Sequence, residues 1–368
     1  MSDSTPAPLG MRTLSKLGLA IAAAGAVIQL VLAVYYLAMA HSPSPHDLPV
    51  GVVGNAEQQA QAQQLEKDGE FKVETYDDAA ALEQAIRERR AYGGVAFEGQ
   101  RATLYVASAA SPSVANLFKA QYTRVYQQQV QQQVDSLVGA NRPVPVATLA
   151  ALTTPPPVTD VVPLPDDDSA GSSLGFVIQA LCLGGSIASL ALGRLRGLTE
   201  RSTRRGLGHA ALLVVYAVGS AAVALLAMAL FGVGDGANHL TLFGGLALIS
   251  LAVTASTAAF VALIGPAGSL VGGLYFTVGL IISGSSIAPE MLPRAGHAIG
   301  QLLPPGAGAT VARDALYFPD ATTAGAFVVL GLYAGLGLAV ILVFNAAANR
   351  TRSAHVLLRD DADHEARA

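Results

Sequence analysis

The chain has 368 residues, 52% of them hydrophobic and 13% charged, with a mean hydropathy of +0.46; this balance excludes an ordinary soluble protein of two or three domains and points to an integral membrane protein. The net charge of −4 is unevenly spread: residues 41–172 hold 16 Asp and Glu against 9 Lys and Arg, a net of −7, whereas residues 194–207 hold five Arg and one Glu, a net of +4. Such polarity orients a chain in a membrane and does not read nucleic acid, and the single cysteine, Cys182, reads as a small packing residue with no partner for a disulfide or a metal pair.

Residues 1–16 read as a cytoplasmic N-terminus, with Arg12 and Lys16 holding the start of a first membrane span over 17–40. That span ends in Ala38-Met39-Ala40, which has the look of a cleavage site. A signal-peptide core runs about 7–15 residues, however, so the longer run reads as an uncleaved anchor.

From 41 to 172 the composition becomes that of a soluble α/β domain. Strands are predicted at Leu48–Val53, Phe71–Tyr76, Gly94–Phe97 and Ala102–Val106, and helices at Ala56–Lys67 and Asp77–Arg90, an order that calls for a partly parallel sheet. Ser111-Pro112 opens a helix to about Val138 whose apolar stripe (Phe118, Tyr122, Val125, Val130, Val134, Leu137) reads as packing on its own sheet, with a stalk or dimer contact as the alternative. Residues 143–168, with prolines at 155–157 and Asp166, Asp167 and Asp168, read as a stiff, extended return to the membrane, the acidic triplet being a solvated face rather than a Ca²⁺ site.

Five further apolar runs follow, about 173–193, 209–231, 240–264, 267–288 and 323–346, each near the roughly 20 residues that span a bilayer. The loop 194–207 carries Arg194, Arg196, Arg201, Arg204 and Arg205 and is expected in the cytoplasm, as is the tail 347–368; the loop 232–239 has no Lys or Arg. The expected fold is thus an all-α membrane bundle of six transmembrane helices with an inserted extracytoplasmic α/β domain between helices one and two. Both termini are then cytoplasmic. Gly184, Gly185, Gly244, Gly245, Gly268, Gly272, Gly331 and Gly335 are expected to let helices pack closely.

Between the last two runs lies a stretch cut by Pro289, Pro293, Pro304, Pro305 and Pro319. It is expected outside the cytoplasm as short surface helices over 289–322, separated at Pro304-Pro305-Gly306, with Glu290, Arg294 and Arg313 facing headgroups or a partner copy.

No apolar run contains Asp, Glu, Lys or Arg, which argues against a carrier driven through a buried carboxylate. None of the four lysines (Lys16, Lys67, Lys72, Lys119) follows a glycine as a Walker A lysine must, so uphill movement would need a separate ATPase. Ser283, Ser285 and Ser286 near His297 have no orienting acid, and no paired-Cys or HExxH pattern offers a metal; no enzyme, cofactor or metal site is expected.

LPVGVVGNA (Leu48–Ala56), YGGVAF (Tyr92–Phe97), PLPDDDSAGSSLGF (Pro163–Phe176), SGSSIAPEMLP (Ser283–Pro293) and LLPPGAGATVARDALYF (Leu302–Phe318), in this architecture, resemble the permeases of type-two ATP-binding-cassette exporters, in the actinobacterial branch similar to the phage-infection-protein (YhgE/Pip-like) group. The chain departs from that pattern at Gly54-Asn55-Ala56 and at Ser285-Ser286. The resemblance implies a half-transporter in a bacterial plasma membrane exporting an amphiphile, its external end capped by short helices with Glu290, Arg294, His297 and Arg313 as candidate gate residues. Two copies, or one and a paralogous permease, would pair among membrane lipids, and the loop with Arg194, Arg196, Arg201, Arg204 and Arg205 would dock a separate nucleotide-binding ATPase subunit. The alternative is a non-transporting envelope protein (scaffold, secretion accessory or phage receptor) acting through residues 41–172.

Overall fold

The structure, a computed structural model, describes residues 11–99, 101–151, 157–197 and 202–365. The first helix, α1 (Met11–Ala40), leads into a five-stranded sheet of order β2-β1-β3-β4-β5. β1 (Leu48–Val53) is flanked in parallel by β2 (Phe71–Thr75) and β3 (Gly93–Glu98), β3 turns antiparallel into β4 (Arg101–Val106), and the short β5 (Val158–Asp160) adds in parallel to β4. Parallel strands need crossovers, which α2 (Ala56–Gln63) and α3 (Ala79–Arg87) supply. Asn55 and Gln58 form a capping box on α2, and Asp78 caps α3 through the Ala81 amide. Gly51 and Gly94 stand opposite each other in the sheet, and the notch they leave is filled by the fully buried Leu82 of α3.

α4 (Pro112–Gly139) starts on a Ser111 cap with proline in its first turn. Its first turns pack into the sheet core through Val114, Ala115 and Phe118, as the apolar stripe requires; farther along the stripe Val125 is exposed and Val130 buried. The expected extended return is more structured than its prolines suggest. It holds α5 (Val146–Ala151), which packs back on α4, and β5, while the Ser108 hydroxyl accepts from the Leu164 amide at 2.9 Å.

Among the described residues five helices are long and apolar enough to cross a membrane: Leu19–Ala40, Ser173–Gly193, Thr203–Leu230, His239–Gly279 and Ala324–Ala347. The bundle is organised on α8 (His239–Ile264), which touches α6 (Ser173–Gly197), α7 (Thr203–Leu230), α11 (Pro304–Tyr317) and α12 (Ala324–Glu365). Small residues allow this. The Gly337 backbone of α12 lies so close to α8 that a Cβ there would sit 2.5 Å from the Ala255 carbonyl carbon. Gly337→Val is therefore expected to lower stability by about 1–3 kcal/mol. Thermal melts in nanodiscs should show the loss beside a neutral Gly331→Val, where nothing lies within 4 Å.

The structure departs from several expectations. Gly185, Gly245, Gly268 and Gly272 do sit at tight contacts, but Gly244, Gly331 and Gly335 face open space within the chain. The run 267–288 is not a regular span. The chain reverses at Gly265, whose φ of 73° suits glycine, and Gly268 lies against the Phe260 backbone. It then returns along α8 as a 3-10 turn, the short α9 (Leu270–Leu274) and a π-helical turn over Tyr275–Gly279, with the Tyr275 hydroxyl bonded to that of Ser256 at 3.1 Å. Pro266 and the glycines make this return irregular, and the Tyr35 hydroxyl of α1 donates to the Val278 carbonyl at 2.9 Å within the π turn. α12 continues as one helix from the last span to Glu365.

Candidate functional site

The segment after the irregular return is where the sheet domain meets the bundle. It consists of a 3-10 turn at Pro289–Met291, α10 (Arg294–Gln301) and α11. Pro304 and Pro305 do not separate two surface helices; they form the first turn of α11, where their missing amides cost nothing. Nor does α11 lie on a surface. Pro304–Ala309 and Val311–Asp314 are buried, with Gly308 against Ile249 and Val311 against Gly245 of α8.

Two adjacent charges near the end of α11 are buried with it. Arg313, 5% exposed, donates from Nη1 to the Gly284 carbonyl and from Nη2 to the Ser285 carbonyl, both at 2.8 Å. Asp314, also 5% exposed, takes Nη1 of Arg89 at 2.5 Å and the Thr323 hydroxyl at 3.0 Å. Beside them the Tyr92 hydroxyl donates to Oε2 of Glu290 at 2.6 Å, and the Glu290 carbonyl accepts from the His46 amide at 2.8 Å. Farther out, Arg294 and Asp47 pair at 3.3 Å in the open, an arrangement that contributes little. The sheet domain thus supplies Arg89 and Tyr92, the bundle Glu290, Arg313 and Asp314.

The electrostatics balance within this cluster. Burial opposes the Arg89 charge most strongly, but Asp314, Tyr92 and Glu290 together outweigh it, and the Arg89 pKa lies above that of an ordinary guanidinium. Burial, with the like charge of Arg89, pulls Arg313 down to about 10, so it stays cationic at neutral pH. Burial and the Glu290 charge push the Tyr92 phenol up, which keeps it a hydrogen-bond donor. The backbone adds a further sign of constraint. Among the described residues, three non-glycine positions have positive φ, and two of them, Asp47 (φ 52°) and Arg89 (φ 57°), are those whose side chains reach the bundle.

The candidate gate residues therefore divide. Glu290, Arg294 and His297 surround a small cavity of about 290 Å³ together with His46 and Asp47. Arg313 stands apart, in the interior. The expectation that Arg313 faces headgroups or a partner copy does not hold, because it is buried and bonded to the Gly284 and Ser285 carbonyls; the half-buried Glu290 is held by Tyr92 and lines the small cavity. Arg89, Tyr92 and Asp314 were missed by sequence reasoning; the left-handed backbone of Arg89 (φ 57°) is marked by no glycine or asparagine in the sequence. The hydroxyls of Ser283 and Ser285 are bonded to each other at 2.9 Å.

The candidate coupling loop is shorter than 194–207. Arg194 and Arg196 lie on the last turn of α6, Arg204 and Arg205 on the first turn of α7 behind a Ser202 cap, and Arg201 lies outside the described residues. Gly206 packs on Asn345 of α12, so this basic turn is at the end of the bundle away from the sheet domain.

Residues 24–348 match the family described as ABC-2 family transporter protein. No curated protein and no solved structure matches the chain.

Proposed function

The chain belongs to the ABC-2 family of transporter proteins as a multi-pass permease subunit of an ABC exporter, and on that premise we propose that it moves an amphiphile out of the cytoplasm using a separate ATPase, with no catalysis of its own. Members of this family generally dimerise and work with such a subunit. Within the family, Ser283–Pro293 and Leu302–Phe318 favour the YhgE/Pip-like branch. The sheet domain lies outside the cytoplasm, and both termini lie inside.

One observation carries this reading: the basic turn between α6 and α7 is separated from the sheet domain by the length of α6, 25 residues, or about 37 Å at 1.5 Å per residue, enough to cross the apolar layer. Arg204 and Arg205 stand at a helix N-terminus, where a cation costs about 0.3–1 kcal/mol. The dipole of α7 therefore does not account for the placement of these cations. α10 and α11 close the outward end of the path, and the buried ion cluster makes the sheet domain move with them.

Affinity purification of the native protein tests the proposal. A nucleotide-hydrolysing subunit is expected to accompany the wild type, and Arg204→Glu/Arg205→Glu is expected to weaken that association about tenfold, or 1.4 kcal/mol. A well-folded wild type that never carries ATPase activity sinks the reading.

A further inference from the structure

An open cavity of about 1070 Å³ lies between the domain-end halves of α6 and α7. Its walls are apolar and largely without partners in the chain: Phe176 is 66% exposed, Val223 66% and Phe231 79%. Along α7 the lining runs from Tyr216 to Phe231, about 22 Å at 1.5 Å per residue and so deeper than one leaflet of a bilayer core of about 30 Å.

The mouth differs in chemistry from the walls. It is formed by Pro165, Asp167, Asp168 and Tyr317, and among the described residues no Lys, Arg or His lines the cavity. Asp168 is engaged in capping α6, accepting from the amides of Ser172 at 2.9 Å and Ser173 at 3.1 Å. Asp167 is exposed and has no ion pair among the described residues. An anionic head would meet two carboxylates and no compensating cation, whereas a cationic one would find Asp167 ready to pair.

We propose that this groove binds an amphiphile with a cationic ammonium head, its apolar chain lying between α6 and α7 and its head at Asp167. The inference deepens the permease reading by naming the charge of the amphiphile, and rests on that reading only for transport. Free cationic amphiphiles and lipids with cationic heads share this chemistry.

The chain has no tryptophan, so Phe176→Trp in the full-length protein, in nanodiscs of zwitterionic lipid, is a single reporter; Phe231→Trp is a second should the first fold poorly. The probes are a brominated alkyl trimethylammonium and a brominated alkyl sulfate of equal chain length. Leu30→Trp on the exposed face of α1 reports general partition into the bilayer. The ammonium probe is expected to quench the groove reporter saturably at about tenfold lower concentration than the sulfate, a difference of 1.4 kcal/mol, and Asp167→Asn is expected to abolish that preference. Nanodiscs doped with a brominated-chain cationic lipid distinguish the sources: groove quenching above that at Leu30→Trp assigns the site to lipid, and its absence beside saturable ammonium quenching assigns it to free amphiphile. Equal quenching by ammonium and sulfate, a preference that survives Asp167→Asn, or identical behaviour of groove and α1 reporters overturns the proposal. So does a groove closed by a second copy, seen as no quenching by either probe with a disulfide between Val223→Cys chains. Absence of ATPase association would leave these binding readouts untouched, so the two failures are distinguishable.

Discussion

Asp314→Ala is expected to loosen the sheet domain from the bundle and to cost about 3–5 kcal/mol, the usual penalty for leaving one member of a buried ion pair alone. The size follows from where the charge is left. The Arg89 side chain is 13% exposed, and its guanidinium pairs with Asp314 at 2.5 Å. Removing the carboxylate strands that cation near a second one, Arg313. Arg89→Met should cost less, because Asp314 keeps the Thr323 hydroxyl. The paired change Arg89→Met/Asp314→Leu should recover much of the loss, since well-packed apolar replacements of buried pairs are often neutral. Thermal melts in nanodiscs give the coupling energy as a double-mutant cycle, and protease sensitivity of residues 41–47 reports undocking. If Asp314→Ala stays within about 0.5 kcal/mol of wild type, the range of an ordinary surface change, the cluster does not hold the domain.

Gly300→Ala is the second large effect expected. A Cβ on Gly300 would lie 1.9 Å from the Ile282 carbonyl oxygen and 2.8 Å from its carbon, and Gly300's own carbonyl oxygen lies where a Cβ on Gly306 would be, at 2.1 Å. Three stretches of backbone meet there: the end of the irregular return, the end of α10 and the start of α11. Neither side of the clash is a flexible side-chain tip, so the cost should reach or exceed the upper end of the 1–3 kcal/mol typical of overpacking. The expected result is loss of monodisperse protein at wild-type expression temperature. Gly273→Ala, on the same return but with nothing within 4 Å, should behave as wild type. Equal behaviour of the two would mean that the return and the α10–α11 pair are not packed as described.

These effects lie where the sequence was least informative. The strands β1–β4, the first turns of α4 and the long apolar helices are written in local periodicity and length, and those signals suffice for them. Arg313 was expected at headgroups because an arginine on a short, proline-bounded helix has that pattern. Its partners are main-chain carbonyls at Gly284 and Ser285, which no side-chain pattern announces. Asp314 pairs with a residue 225 positions away, beyond any helical or strand spacing. The glycine pair 331 and 335 had the spacing of a helix contact, yet Gly337 makes the close approach, because spacing states which residues share a face and not which face is covered. β5 escaped notice because three residues between proline-rich stretches are too few to show alternation.

The core beneath the sheet also sets an order of events during synthesis. Ala288, Met291 and the 1% exposed Phe318 pack among Leu48, Leu82, Tyr92 and Val114, yet they are translated long after the last strand. Until α6 to α11 have been threaded and the chain has returned, the nascent sheet domain lacks part of its own interior and keeps apolar surface open to chaperones or proteases. The interior of the domain is therefore completed only after α11 has been made, so its last packing step depends on the bundle as well as on its own strands.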